Sequence, residues 1–374
     1  MHVLAILDSE SWGDRHIVQG LSDMGHQVHR YVYGAAVGEF YGRARRTERD
    51  KKNQELVEAA RNLKRQGKLD LIFCYAYDDF LLPEYARDLA NVGVPLVNLN
   101  VDMANQWYRQ IRIAKFFDLM LCAQRQHMSS LNTYGARTFY FPMAGRTVSE
   151  GDEFVPQAPI TFLGAATPYR ATVLATLEQA GLPIAIYGRN WTAGTPVRPE
   201  YSFGKTLSDI LHYAVPRIRH EGLRGVRSAI QSRAATPPSM NVRPIACHGT
   251  VPETCLTSLF RRSAINIGFT RMTGLESGGF GNNQVKLRDF EVPLAGGFYL
   301  VEEAPDHAEL YEIDREIVTW RSPEELVEKV RYYLANPPIR EAIAAAGRRR
   351  ALSDHTWQRR FSGLFQAMGL GERP

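Results

Sequence analysis

The chain has 374 residues, of which 44% are hydrophobic and 23% are charged. This composition is typical of globular proteins and excludes a disordered, collagen-like or coiled-coil chain. Because a single domain usually takes about 150 residues, the length predicts two domains. There are 45 basic and 40 acidic residues, and residues 198–243 alone carry the whole excess of +5. Since a nucleic-acid-binding protein would spread its basic residues further, no nucleic-acid partner is expected.

The cysteines are too few and too scattered for a disulfide framework. Two of them, Cys247 and Cys255, lie near His248, but no second pair of ligands completes a zinc pattern, so no metal site is predicted. The chain opens without a signal-peptide pattern, and no apolar run approaches the ~20 residues that cross a bilayer. We therefore expect a cytoplasmic, soluble protein.

Short apolar runs alternate with helical patterns along the first half of the chain. Predicted helices lie at 16–24, 48–66 and 83–91, and predicted strands at 3–7, 28–33, 69–77, 94–101, 117–123 and 136–142. Apolar strands that alternate with helices predict a parallel sheet covered on both faces.

Residues 148–159 lose this periodicity and gain acidic residues, glycine and proline, which predicts a linker. The alternation then resumes, with helices at 169–180, 253–261, 323–334, 339–349 and 355–368 and strands at 160–164, 182–188, 245–249, 264–269, 298–303 and 316–320. The predicted fold is α/β, with two Rossmann-like parallel-sheet domains that face each other across a cleft. The predicted divisions are a first domain at 1–147, a second at 160–354 with a basic insertion at 198–243, and a C-terminal helix at 355–374 that crosses back to the first domain.

Ligands of parallel sheets bind beyond the carboxyl ends of the strands, so the loops there are the first places to search. The loop after the first strand, residues 8–15, contains Gly13 alone and lacks the three-glycine dinucleotide fingerprint. The loop after the predicted strand 264–269 is much richer in glycine, with Gly274, Gly278, Gly279 and Gly281. Such a loop can approach a ligand closely and offer backbone N–H groups to an anion.

Two cations, Lys286 and Arg288, and the acid Glu291 follow this loop at the start of a predicted helix. The cations could neutralise phosphate charge, and the acid could accept hydrogen bonds from ribose hydroxyls. The pattern suits a nucleotide-diphosphate sugar. A glycine-rich surface loop followed by a helix with solvated charges is the alternative.

The segment QVKLRDFEVPLAGGFYLVEE, residues 284–303, resembles the C-terminal domain of CgeB-like (spore-maturation-type) glycosyltransferases, which typically reads Q-V-K-x-R-x-F-E-x-P-x-x-G-G-F. Residues 316–360 are similar to that family's tail with its h-T-W-x-x-R ending, and residues 162–191 and 247–269 match less specifically. The resemblance to this family extends from about residue 160 to the end of the chain, apart from the basic insertion at 198–243. It is weaker over residues 70–142.

This resemblance implies a two-Rossmann-domain (GT-B) fold whose second domain holds the nucleotide sugar and whose first domain holds the acceptor. It implies that Glu291 binds the donor ribose and that Lys286 and Arg288 lie near the diphosphate. Arg170 is a further phosphate candidate, and the residues expected to border the nucleobase are Tyr187, Gly188, His248 and Gly249.

The wider retaining superfamily carries two glutamates separated by seven residues. Here the second is Glu291, but the first position is Asn283. Asn282, Asn283 or Glu276 therefore takes the place of the first glutamate in contacting the donor sugar. Gly281 of the glycine-rich loop is a further donor-binding candidate.

Candidate acid–base residues follow the predicted strands of the first domain. An inverting enzyme needs a base for the acceptor hydroxyl, and a carboxylate just past a strand is suitable. Asp102 follows one strand and is the first candidate, and Asp78 and Asp79 follow another. Asp8 and His16 follow, since they flank the first loop. In a retaining enzyme the leaving phosphate can take the proton instead. Each of these residues also has a non-catalytic interpretation. The aspartates could be helix N-caps or turn residues, and His16 could lie on the surface of a helix.

The predicted function is a metal-independent glycosyltransferase of hexosyl or deoxyhexosyl type, retaining by resemblance, with no cofactor beyond its nucleotide-sugar co-substrate. Polysaccharide, lipid-linked and protein acceptors fit equally. The alternatives are a nucleotide-sugar epimerase or hydrolase of the same fold, and a non-catalytic sugar-nucleotide or nucleic-acid binding protein.

The basic insertion at 198–243 has three interpretations. The first is a helical surface insertion whose charges are solvated. The second is a contact, through residues 205–233, with an anionic acceptor or the inner membrane surface, and the third is an oligomer contact. Pro216 and Gly222 interrupt its helical pattern, which weakens the membrane-helix version.

Overall fold

A computed structural model describes residues 1–8, 12–34, 46–146, 152–191, 219, 246–271 and 283–370. The basic insertion, apart from Arg219, and most of the glycine-rich loop lie outside the described residues. Within the described ranges, no helix has the length and apolar character that a membrane span requires.

The first compact unit takes its described residues from 1–143 and from 357 onward, together with Arg219. Its six strands form a parallel sheet in the order β2-β1-β3-β4-β5-β6. The strands are β1 (His2–Leu7), β2 (Gln27–Val32), β3 (Leu71–Cys74), β4 (Leu96–Asn100), β5 (Leu119–Cys122) and β6 (Thr138–Tyr140). The central strands β3 and β4 are buried at every position, as strands covered on both faces must be, whereas the edge strand β2 is partly exposed.

Helices of this unit cover the sheet between its strands. They are α1 (Gln19–Ser22), α2 (Arg46–Arg65), α3 (Pro83–Ala90), α4 (Met103–Gln106) and α5 (Met128–Asn132). A π-helical turn at Gly13–Val18 precedes α1. Buried Leu56, Val57 and Ala60 of α2 pack into the core formed by the strands.

The second unit takes its described residues from 144–191 and 246–356. Its six strands form another parallel sheet in the order β12-β11-β10-β7-β8-β9. The strands are β7 (Ile160–Leu163), β8 (Ile184–Tyr187), β9 (Ala246–Cys247), β10 (Ile265–Gly268), β11 (Tyr299–Glu302) and β12 (Val318–Trp320).

The helices of the second unit are α6 (Pro168–Gln179), α7 (Leu256–Arg262), α8 (Arg288–Ala295), α9 (His307–Leu310), α10 (Pro323–Ala335) and α11 (Pro337–Asp354). Two of them begin with a side-chain cap followed by proline. The hydroxyl of Thr167 accepts the backbone N–H of Arg170 at the start of α6, and that of Ser322 accepts the N–H of Glu325 at the start of α10, both at 3.2 Å. These caps satisfy N–H groups that have no partner inside the helix, and proline at the first position needs none.

The last helix, α12 (Trp357–Ala367), packs in the first unit. Trp357 and Phe361 are fully buried, and the ring of Phe361 lies 6.0 Å from that of Phe73 in β3. The helix also approaches α1 closely, because a Cβ atom at Gly20 would lie 3.0 Å from that of Trp357.

The twelve strands predicted from the apolar runs are all present, and so are the two parallel sheets. The helix predicted over 16–24 differs, since it consists of the π-helical turn at Gly13–Val18 and the short α1. Gly13 allows this geometry near β1, because a Cβ there would lie 3.0 Å from the side chain of Leu7.

Two helical glycines give a matched test of packing in this fold. A Cβ atom at Gly347 in α11 would overlap the carbonyl oxygen of Glu316, whereas one at Gly363 in α12 meets no atom within 4 Å. We expect Gly347→Ala to lower the free energy of unfolding by about 1–3 kcal/mol. Gly363→Ala should raise it by roughly 0.5–1 kcal/mol, because alanine loses less backbone entropy on folding. Urea denaturation measures both, and equal effects would contradict the close packing of α11.

Candidate functional site

A cavity of about 320 Å³ opens at the carboxyl ends of β10, β11 and β12. This is the edge of a parallel sheet at which ligands usually bind. The lining residues are Arg271, Asn283, Glu302, Glu303, Trp320 and Arg321.

Glu302 is the most deeply buried charge of this cavity, with 1% of its surface exposed. Its Oε1 accepts hydrogen bonds from Arg271 Nε at 2.7 Å and from the Tyr169 hydroxyl at 2.6 Å. Its Oε2 accepts the backbone N–H groups of Thr270 and Arg271, both at 3.1 Å. The carboxylate therefore joins the start of α6, the segment after β10 and the end of β11.

Arg271 connects this network to Lys286, which was predicted to bind the phosphate groups of a donor. Its guanidinium lies 4.4 Å from the centroid of the Tyr169 ring, an attractive cation–π arrangement. Its carbonyl oxygen accepts a hydrogen bond from Lys286 Nζ at 2.8 Å. Lys286 is thus held beside the cavity, at the same edge of the sheet.

The first turn of α8 carries the other two charges predicted to contact the donor. Arg288 and Glu291 form an ion pair, with 35% and 16% of their side chains exposed. The guanidinium of Arg288 lies 5.5 Å from the ring centroid of Phe260. The predicted ribose-binding carboxylate is therefore oriented by its neighbour one helical turn away.

Arg170 lies at the start of α6, where the loops after β7 and β8 meet. Its guanidinium donates to the carbonyl oxygen of Ala165 at 2.8 Å. Gly188 has φ +141°, and a Cβ atom there would overlap the carbonyl oxygen of Gly164. Glycine is therefore required at the end of β8, because only it allows the two loops to approach so closely.

The predicted nucleobase neighbours continue this loop cluster. The N–H of Gly188 donates to the carbonyl oxygen of Gly249 at 2.7 Å, and the rings of Tyr187 and His248 lie 5.2 Å apart. Tyr187 is buried and its hydroxyl accepts the N–H of Gln157 at 3.0 Å, whereas His248 and Gly249 are exposed. Glu276, Gly281 and Asn282 lie outside the described residues.

In the first unit, Asp8 and Asp102 follow β1 and β4, at the carboxyl edge of the sheet. Asp102 is the residue before α4 and accepts a hydrogen bond from Gln106 Nε2 at 3.4 Å. Burial raises the pKa of Tyr75 well above its ordinary value, and the charges of Tyr77, Asp102 and Asp8 raise it further. The two carboxylates therefore share the surroundings of Tyr75.

His16 has a different environment from the one its helical pattern indicates. It is 5% exposed, and its Nδ1 accepts a hydrogen bond from Trp357 Nε1 of α12 at 3.0 Å. The helix-surface position is wrong, because α12 covers this side chain. His16 lies between Trp12 and Trp357, with ring centroids 6.3 and 5.9 Å away.

Several residues of these edges were not singled out from the sequence. In the first unit the missed residue is Arg109, which forms a buried ion pair at 3.0 Å with Asp79, one of the acids that follow a predicted strand. In the second unit the missed residues are Arg271, Glu302 and Trp320. The signal for Glu302 was present, since an acid that ends an apolar strand is placed at the ligand-binding edge of a parallel sheet.

A family model described as Glycosyl transferase-like matches residues 170–366, which is more than half of the chain and includes the cavity. No curated protein matches the chain.

Solved structures share the fold over nearly the whole chain. HepE from Anabaena, solved in complex with UDP and glucose, has a TM-score of 0.60 and 11% identity, and the match covers 99% of this chain and 100% of that one. A glycosyltransferase from Rickettsia africae has a TM-score of 0.56, 11% identity and 99% coverage of each chain. Sucrose-phosphate synthase from Thermosynechococcus elongatus has a TM-score of 0.55, 12% identity and 100% coverage of each chain.

Proposed function

Because the chain belongs to the glycosyl transferase-like family, we propose that it moves a hexose from a uridine-diphosphate sugar to a hydroxyl group of a glycan, lipid-linked or protein acceptor. Its two parallel-sheet units have the GT-B fold of glycosyltransferases. The observation that carries the proposal is the network of Glu302, Arg271 and Lys286 beside a cavity, at the ligand-binding edge of the sheet. HepE bound UDP and glucose, which makes uridine-diphosphate sugars the first donors to test.

In this proposal the second unit binds the donor. Lys286 and Arg170 neutralise the diphosphate, together with the N-terminus of α6, where the helix dipole favours an anion. Glu291 accepts hydrogen bonds from the ribose hydroxyls. The exposed His248 and Gly249 border the base.

These cations also assist bond cleavage. When the bond between sugar and diphosphate breaks, negative charge develops on the departing phosphate oxygen. Fixed positive charges at that oxygen stabilise the transition state more than the ground state. We assign this role to Lys286 and Arg170, so the proposed mechanism is metal-independent.

The first unit binds the acceptor in this proposal. Asp102 accepts a hydrogen bond from the reacting hydroxyl and positions it, Asp8 is the next candidate, and the buried His16 is the third. We propose retention of configuration, in which the departing phosphate takes the hydroxyl proton. The Q-V-K-x-R-x-F-E pattern at residues 284–291 supports a place near the CgeB-like glycosyltransferases.

Replacement of Glu291 tests the donor site. A hydrogen bond to a charged group contributes about 1.5–3 kcal/mol, so Glu291→Ala should weaken UDP-sugar binding by roughly 10- to 100-fold. Isothermal calorimetry with a panel of UDP sugars measures this affinity. Glu328→Ala, at an exposed position of α10, is the matched control and should bind as the wild type does. Unchanged affinity of Glu291→Ala for every sugar that the wild type binds would remove Glu291 from the donor site.

Replacement of Asp102 tests the acceptor side. In the proposed retaining mechanism Asp102 positions the hydroxyl but takes no proton. A hydrogen bond to a charged group contributes about 1.5–3 kcal/mol, so Asp102→Asn should lower the rate of transfer by roughly 10- to 100-fold. Donor affinity should stay at the wild-type value, because the residue belongs to the other unit. Nucleoside diphosphate release, measured with a panel of glycan acceptors, reports the rate. Asp88→Asn in α3 is the control, and full activity of Asp102→Asn would exclude the residue from the mechanism.

A further inference from the structure

A chain of polar contacts links Asp102, the residue proposed to position the acceptor hydroxyl, to a buried arginine. Gln106 Nε2 donates a hydrogen bond to Asp102 Oδ2 at 3.4 Å, and Gln106 Oε1 accepts one from Arg109 Nη1 at 3.1 Å. Arg109 Nη2 lies 3.0 Å from Asp79 Oδ1. The chain therefore joins the end of β4 to the segment that follows β3.

Arg109 is held in place from several directions. Its side chain is 6% exposed and that of Asp79 is 4% exposed. The guanidinium lies 5.1 Å from the centroid of the Tyr77 ring, and the carbonyl oxygen of Arg109 accepts the backbone N–H of Asp78 at 2.9 Å. Because an unpaired buried charge is strongly unfavourable, Arg109 stays with Asp79. It is therefore a fixed donor for Gln106.

The orientation of the Gln106 amide follows from the chemistry of its neighbours. A guanidinium group has donors only, so the amide atom that faces Arg109 is the oxygen. The other amide atom is then the nitrogen, which donates to Asp102 Oδ2. This hydrogen bond fixes the rotation of the Asp102 carboxylate.

A glutamine and an aspartate four residues apart can also have a purely helical role, because such pairs stabilise helices. The pair of Gln19 and Asp23 at α1 has the same spacing, a distance of 2.7 Å and an exposed position. The pair of Asp102 and Gln106 differs, since it is partly buried and continues into the buried ion pair of Arg109. The exposed pair is therefore a matched control.

We propose that Gln106 is a positioning residue for Asp102, and that the buried pair of Arg109 and Asp79 holds Gln106 in the orientation that this requires. The Asp102 carboxylate then meets the acceptor hydroxyl from a fixed direction, and the alignment of reacting groups is a large part of catalysis. The inference rests on the proposed role of Asp102 in the reaction.

Gln106→Glu tests this role without removing either partner of the buried ion pair. The variant keeps an oxygen for Arg109 Nη1, but its second oxygen replaces the N–H donor and repels Asp102. Two carboxylates this close raise the pKa of one of them. Because the new carboxylate is paired with Arg109, Asp102 is the group whose pKa rises. A neutral carboxyl group accepts a hydrogen bond less strongly than a carboxylate does.

The other titratable groups around Asp102 come from the segments after β3 and β1. Burial raises the pKa of Tyr75 and of Tyr77, and the charge of Asp102 raises both further, so the two hydroxyls stay neutral between about pH 5 and 9. Asp8 also raises the pKa of Tyr75, and Arg109 lowers that of Tyr77. All four groups are the same in the wild type and the variant, so a difference between their pH profiles reports the new charge at position 106.

The measurement is the release of UDP from UDP-glucose, with the glycan acceptor that gives the highest wild-type rate. At about pH 6, Gln106→Glu should transfer at least about 10-fold more slowly than the wild type. The acidic limb of its pH–rate profile should lie about 1–3 pH units higher, because Asp102 loses its proton next to a like charge. A variant that only loosens the packing would be slower at every pH, with the limb in its wild-type place, and that result would overturn the proposal.

A double-mutant cycle shows whether Gln106 acts through Asp102. In Asp102→Asn the carboxylate that Gln106 positions is absent, so adding Gln106→Glu should change the rate by less than about 2-fold. A double variant that is slower than Asp102→Asn by the full factor of Gln106→Glu would contradict the proposal. Gln106→Met removes the donor without adding a charge. It should be slower than the wild type with an unmoved limb, and it replaces Gln106→Glu in the cycle if that variant does not fold.

Two controls accompany these rates. Gln19→Glu places the same new charge beside Asp23 and should keep the wild-type rate and pH profile. The affinity of Gln106→Glu for UDP-glucose, measured by calorimetry, should equal that of the wild type, because the donor belongs to the other unit.

The outcomes separate this inference from the proposed function. If Asp102→Asn is slow but folded Gln106→Glu has the wild-type rate and pH profile, Gln106 does not position Asp102 and the proposed function stands. If Asp102→Asn is as active as the wild type, or if the wild type does not use UDP-glucose or any other UDP sugar, the proposed function and this inference fail together.

Discussion

The buried carboxylate of Glu302 is the interaction on which the candidate site of the second unit depends. A charge in a protein interior is unfavourable unless it is paired and its lone pairs are hydrogen-bonded. Glu302 meets both conditions, since its oxygens accept from Arg271 Nε, the Tyr169 hydroxyl and two backbone N–H groups. These donors come from two segments far apart in the sequence, so one side chain fixes the start of α6 and the segment after β10 against the end of β11.

The surroundings of this carboxylate separate two kinds of recognition at one edge of the sheet. In the proposed function the cations Lys286 and Arg170 hold the charged diphosphate of the donor. The cavity is lined by two ion pairs whose charges cancel, Arg271 with Glu302 and Arg321 with Glu303. A nucleotide sugar has the same division, with an anionic centre joined to a neutral hydroxylated ring.

The two sheets could be predicted from the sequence because their signals are local. The run Leu71–Cys74 is apolar throughout and lies between Asp70 and Asp78, and the structure places a buried strand there. The position of His16 could not be predicted, because the residue that covers it, Trp357, lies 341 positions away. Pairing of Arg271 with Glu302 spans 31 residues and also has no local signal. Helical periodicity and charge counts describe single segments, whereas these contacts arise when segments meet.

Donor binding by a Glu302→Gln variant tests the central claim most directly. Glutamine keeps the size of the side chain but removes the charge that orients Arg271. Its matched control is Glu312→Gln, where the carboxylate is 59% exposed and pairs with Arg315 at the surface. The affinity for UDP-glucose is measured by calorimetry at a temperature at which circular dichroism shows both variants folded. We expect Glu302→Gln to bind at least about 10-fold more weakly than the wild type and Glu312→Gln to bind equally well. Wild-type affinity in folded Glu302→Gln would contradict a donor site organised by this carboxylate.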